Sequence, residues 1–411
     1  MNELSRTQLL LKFYKTSSLY LLITAFATAL IFLIRLTTNF QYAHAGIVVV
    51  HLGTLGALTL GLMGFYLRLI FSVGEVEISE WAMSAIHAVM NIGIIVLAAG
   101  FLAGFWPLLV LGAIGVTYAV LWWALHYIRW FIRVPSGRKG GALLFGLFAV
   151  VGLVVAVLIG GYLIHGHLTD SVSQNIRLAH IHSGFVGWAT LGLLGIGVAL
   201  RGGDVPLLNS IPILRGTSGA WFAGTLLLVL FMAIWQISLV MIAGAILFLA
   251  FLGYGYSMPK TGASREDSGD DDNGGGGLLP YVIAGFIGLF LTILIGFDIT
   301  INYPSGRAGI HQVFGVGVWL LMTFLMALLA EFPKSAYVVL RHKREKGAEM
   351  PAEMEYRYPG MFQAGWIGIT VTLLITVAGY FMSQSLFFTG ILLLGLVTSF
   401  LASYVLVKYW E

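Results

Sequence analysis

The residues in this sequence best suited to chemistry are its ten histidines, and their spacing is uneven. His44 and His51 stand seven positions apart, hence two helical turns apart on roughly one face. His180 and His182 stand two apart; at about 100° per residue, such a pair on a helix points its rings about 200° from each other. One His-x-His segment can therefore serve two centres flanking the same helix. His165 and His167 form a second pair of this kind, in GYLIHGHLTD, and His311 stands alone. There is no cysteine, which excludes disulfides, thiolate-bound zinc, iron–sulfur clusters and covalent c-type haem. A metal centre here must draw on His, Met, carboxylate or Tyr.

The elements that position these residues are membrane spans. The chain is 59% hydrophobic and 10% charged, against about 25% charged in a soluble domain. Apolar runs recur along its whole length, at roughly 17–36, 45–71, 81–104, 106–130, 141–164, 178–200, 217–234, 236–257, 279–299, 309–331, 362–382 and 386–408. Three pairs are joined by tight turns, at Phe105-Trp106-Pro107, Trp235-Gln236 and Ser383-Gln384. The first run lacks a small-residue cleavage site and reads as a retained span. Twelve spans place nineteen of the 22 Lys and Arg residues on the side of both termini and leave Arg35, Arg177 and Arg307 on the other. By the positive-inside rule the termini are cytoplasmic, in a bacterial or archaeal inner membrane. The net charge of +4 is thus a topology signal, not a nucleic-acid footprint. Residues 1–411 form a single integral membrane domain, interrupted by a flexible cytoplasmic linker at 258–278 containing SREDSGDDDNGGGG. The basic loop from Arg341 to Arg357 suits contact with anionic lipid headgroups.

Topology then sorts the histidines. His87 and His126 fall toward the cytoplasmic halves of spans three and four, and His342 in a cytoplasmic loop. The other seven gather at the outer side: His44 and His51 opening span two, His165 and His167 closing span five, His180 and His182 opening span six, His311 opening span ten. Ionisable residues in a membrane are costly and mark function by default. His180, His182, His311, His44 and His51 are the candidate haem ligands. His87 reads as a residue bonded to a neighbouring helix. His165 and His167 are either solvated or part of a small copper site, with His44 and His51 as further copper candidates. Arg177 and Arg307, just ahead of the histidines of spans six and ten, suit haem propionates or are ordinary loop cations. Histidine-bearing spans recur every four spans, a rhythm that suggests an internal repeat.

The segment LAHIHSGFVGWATLGL, from Leu178, resembles the HxHSGxxGW stretch in the catalytic subunit of C-family haem–copper oxidases. GRAGIHQVFG, from Gly306, resembles that family's GRxxxH…FG stretch, and AHAGIVVVHLGTLGALTLG, from Ala43, is similar to the HxH…LG openings of subunit I-like proteins. These motifs cover some 45 residues, and the twelve-span count fits the whole chain. The resemblance implies an all-α polytopic bundle of twelve helices in pseudo-threefold four-helix units. It implies His182 and His311 as the axial pair of a low-spin b-type haem, and His180 as the ligand of a second, catalytic haem with an open axial position. Relative to the family, the His-x-His pair sits on span six rather than ten, as if the units were circularly shifted. No HxxxY and no His-His pair occurs, so the usual copper site cannot form. Acids at mid-depth are scarce, with Asp298 near the outer end of span nine and Glu331 near the inner end of span ten, which speaks against proton pumping. Nitric-oxide-response proteins of the NnrS type are the divergent relatives that this pattern suggests, although their WHxHE motif is absent.

The function expected is that of a b-type haem oxidoreductase or gas-binding protein acting on NO or O₂, with one or two haems and copper as a further candidate cofactor. Electrons would come from quinol or a separate donor protein. The alternatives are a non-catalytic haem or copper sensor, assembly factor or metal chaperone of the same fold, and a transporter with structural histidines.

Overall fold

The computed structural model describes residues 3–38, 43–73, 77–135, 139–168, 173–202, 212–262, 279–302, 307–343 and 360–410. Most of the expected linker at 258–278 and of the basic loop after Lys343 lies outside them. Among the described residues, twelve helices are long and apolar enough to cross a membrane. They are α1 (Glu3–Thr37), α2 (His44–Val73), α3 (Glu80–Ala103), α4 (Trp106–Arg133), α5 (Gly141–Gly166), α6 (Gln174–Leu200), α7 (Pro212–Ala233), α8 (Ile237–Ser257), α9 (Leu279–Ile301), α10 (Ala308–Lys343), α11 (Met361–Met382) and α12 (Gln384–Tyr409). The shortest has 21 residues, which at 1.5 Å per residue covers a hydrocarbon core of about 30 Å.

The three tight turns fall where the sequence placed them. Gly104 takes the left-handed conformation that closes α3, and Pro107 sits in the first turn of α4. Trp235 turns the chain at φ 57°. Ser383 caps α12 by accepting from the Leu386 amide. Two helices run past their expected ends. α1 begins at Glu3 because Leu9, Leu10, Phe13 and Tyr14 are buried against the bundle below the apolar run. α10 continues through Pro333 to Lys343 because Phe332, Ala336 and Val339 keep packing inward. The ends of the chain meet: Lys15 on α1 donates to the Trp410 carbonyl, and at the opposite end Arg35 lies 4.9 Å over the Phe388 ring. An even number of spans is what allows this.

Helices α2, α6 and α10 form an inner ring. Their apolar windows are 50%, 67% and 56% buried, matched only by the 56% of α5, against 22% for α8 and 17% for α9, which face outward. Specific bonds hold the ring together. Trp188 Nε1 on α6 donates to Thr59 Oγ1 on α2 at 2.9 Å, and Tyr66 of α2 donates to the Gly192 carbonyl. Trp319 Nε1 on α10 donates to Thr190 Oγ1 on α6, again at 2.9 Å. Between α10 and α2, Phe324 packs on Gly61, and Glu331 pairs with Arg68. Outside the ring, exposed Ile92, Ile95, Leu111 and Ile114 on α3 and α4 suit contact with lipid tails.

Candidate functional site

The histidines of the inner ring sit beside a local change in helix geometry. In each of α2, α6 and α10 the backbone widens to i→i+5 hydrogen bonding, over Leu52–Thr59, Ser183–Thr190 and Val313–Leu320. Such π-helical turns are rare and collect at functional sites, because they re-aim the side chains beside them. The first two begin immediately after His51 and His182, and the third two residues after His311.

The ring nitrogens are oriented by the backbone. His51 Nδ1 lies 2.8 Å from the Ile47 carbonyl, and His182 Nδ1 lies 2.9 Å from the Leu178 carbonyl, each one turn back on its own helix. His180 Nδ1 reaches across to the Ala156 carbonyl on α5 at 2.9 Å. A carbonyl only accepts, so each Nδ1 carries the proton and each Nε2 presents a lone pair, the form in which imidazole binds a metal. His311 lies against α9 beside the Thr292 carbonyl, but its Nδ1 completes no hydrogen bond.

Glycines make room for two of these rings. A Cβ on Gly160 would lie 3.0 Å from His180 Cε1, and one on Gly296 would lie 3.3 Å from His311 Cε1. The rings pair across the inner ring of helices. His51 on α2 and His180 on α6 have centroids 6.4 Å apart, with planes inclined by 22°. His182 on α6 lies within electrostatic reach of His311 on α10. All four residues are half-buried.

The remaining candidates fall elsewhere. His44 and His165 are exposed at the ends of α2 and α5, and the His167 side chain lies outside the described residues. Among the described residues no group of three or more His, Asp or Glu is assembled that could hold a metal ion; what the bundle offers are pairs of imidazoles. Arg307 precedes α10 and forms an ion pair with Asp298 of α9 at 2.5 Å. Arg177 is exposed on the first turn of α6. His87 lies 3.0 Å from Thr16 Oγ1 of α1, as expected for a residue bonded to a neighbouring helix. His126 bonds the Trp122 carbonyl of its own helix.

Sequence reasoning missed the supporting positions on α5 and α9: Ala156 with Gly160, and Thr292 with Gly296. A signal for them exists. Leu158-Ile159-Gly160 and Leu294-Ile295-Gly296 repeat one triplet 136 positions apart. No protein-family model matches the chain, and comparison with curated proteins gives no match.

Proposed function

We propose that the protein is an integral-membrane b-type haem protein of the oxidoreductase class, a divergent relative of the haem–copper oxidase subunit I proteins. We place it in a bacterial or archaeal inner membrane with both termini cytoplasmic. The observation that carries this is the set of imidazoles on α2, α6 and α10, of which His51, His180 and His182 commit their Nδ1 protons to backbone carbonyls and so keep their Nε2 lone pairs available to a metal. Two neighbouring Nε2 acceptors cannot satisfy each other by hydrogen bonding; a metal bound by both can satisfy them. A porphyrin iron suits such a site because it needs only two axial donors from protein, and pairs are what the inner ring supplies.

His182 and His311, on neighbouring helices, would hold the haem iron in this reading. Haem supplies one-electron redox chemistry when bound there. The Leu178 carbonyl fixes the orientation of His182, and Gly296 leaves room for His311 against α9. Trp188, Trp319 and Leu320 are buried within the bundle on the same helices, further along from the histidines. Arg307, shared with Asp298, and Arg177 stand at the outer end, where propionates of a haem would need cations. Electrons come from quinol or a separate donor protein. The closeness of His51 to His180 favours electron transfer over the reduction of NO or O₂, which needs an open axial position.

The test is an optical spectrum of the protein purified in detergent. Dithionite reduction gives paired b-type bands, and the bands of this haem are lost in His182→Ala and His311→Ala. A purified, folded protein without porphyrin absorbance overturns the proposal.

A further inference from the structure

The two imidazole pairs are copies of one another. His51 and His182 are 131 positions apart, and so are His180 and His311. The same interval relates Thr59 to Thr190, Trp188 to Trp319, and Gly53 to Gly184 to Gly315. The structure repeats with the sequence. The indole of Trp188 donates to Thr59 and that of Trp319 to Thr190, both at 2.9 Å. The π-helical turns Leu52–Thr59 and Ser183–Thr190 are offset by the same 131 positions, and Val313–Leu320 follows one residue short of it. On the flanking helices the interval is 136: Gly160 and Gly296 hold the rings of His180 and His311, with the Ala156 and Thr292 carbonyls in equivalent places. Each pair therefore draws one imidazole from the residue before a π-helical turn and the other from the next helix of the ring, where a glycine on α5 or α9 supports it.

We propose that this chain binds a second haem, between His51 of α2 and His180 of α6, equivalent to the one between His182 and His311. The proposal rests on the haem reading above and adds a site, a ligand and a closed coordination state to it. With metal–nitrogen distances of about 2.0 Å, two imidazoles on opposite sides of one metal have centroids roughly 6 Å apart, and the His51–His180 separation of 6.4 Å matches that. His51, a candidate for both haem and copper in the sequence, becomes the second ligand of this haem, and His180 has no open side. The third interface of the ring carries no pair. The positions that complete the repeat there are Val49 on α2 and Val313 on α10, which cannot ligate. The pseudo-threefold ring thus holds two sites of three, and both share α6 through ligands two residues apart. Chemistry at both irons is confined to electron transfer.

The test is the number and coordination of haems per polypeptide, from the pyridine haemochromogen and quantitative amino-acid analysis, with carbon monoxide added to the reduced protein. Two haems per chain are expected, both low-spin, with no spectral change on adding carbon monoxide. In His51→Gly one haem is expected to become reactive to carbon monoxide, and imidazole added to the buffer is expected to close it again. The bands of the His182–His311 haem report in that same sample that the bundle is folded. His180→Ala is expected to leave one haem per chain. A single haem per chain whose spectrum is unchanged in His51→Gly and His180→Ala overturns the second site while leaving the function proposed above intact. Two haems of which one binds carbon monoxide in the unaltered protein overturn the closed state. Folded protein with no haem overturns both.

Discussion

Adding one methyl group at Gly160 tests whether the position of the His180 ring is set by the packing seen here. The new Cβ would stand 3.0 Å from His180 Cε1, about 0.5 Å inside the optimum for carbon contact. The ring cannot retreat without stretching its 2.9 Å bond to the Ala156 carbonyl, one turn earlier on the same helix. Overpacking of this size costs about 1–3 kcal/mol, and a lost hydrogen bond about 1 kcal/mol more. Against that, Gly→Ala in a helix gains about 1 kcal/mol in propensity, so a net destabilisation of about 1–3 kcal/mol is expected. Gly161→Ala is the control: a Cβ there meets nothing within 4 Å, so that variant keeps only the propensity gain. Gly296→Ala belongs between them, because its Cβ would stand 3.3 Å from His311 Cε1, and His311 has no formed Nδ1 bond to lose. Thermal unfolding in detergent, followed by circular dichroism and by the Soret band where it is present, measures all three. A Gly160→Ala protein that melts with Gly161→Ala would refute the placement of the ring.

Other consequences are open to measurement. Thr59→Val and Thr190→Val each leave a buried indole N–H unsatisfied, so each is expected to destabilise by about 1–3 kcal/mol, and by equal amounts if the two interfaces are copies; unequal melting shifts would break the equivalence. Glu331→Gln removes the buried charge that pairs with Arg68 and is expected to cost about 3 kcal/mol, the low end for a broken buried pair, because the Arg68 side chain is 31% exposed. Arg68→Met combined with Glu331→Leu is expected to recover most of that loss, and a double variant less stable than Glu331→Gln would count against it. Asp298→Asn is expected to change stability by less than about 1 kcal/mol, since Arg307 is 59% exposed; a large drop in the melting point would show that this pair holds α9 to α10. The absence of cysteine gives a clean background for labelling: Gln174→Cys is expected to react with an impermeant maleimide on intact cells, and Arg133→Cys only after permeabilisation. The reverse pattern would invert the orientation read from the charges.

The sequence determined by itself that the chain carries twelve segments long and apolar enough to cross a membrane, where its tight turns fall, and that most of its histidines lie toward the same ends of those segments. Those properties are local: a run of about 20 apolar residues has to cross, glycine, proline and serine punctuate helix ends, and depth follows from counting along a helix. The His-x-His segment even announced that α6 faces two ways. Which ring meets which was settled only by the tertiary structure. The sequence left His51 a candidate for both haem and copper, and the partner of His180 unassigned, because the neighbour of an imidazole depends on which helices are adjacent and how each is rotated about its axis. The π-helical turns in α2, α6 and α10 alter that rotation just beside the histidines, and apolar periodicity does not encode it. Ala156 contributes a backbone carbonyl and Gly160 a missing side chain, so neither shows as chemistry in a residue list; packing across α5 and α6 gives them their part.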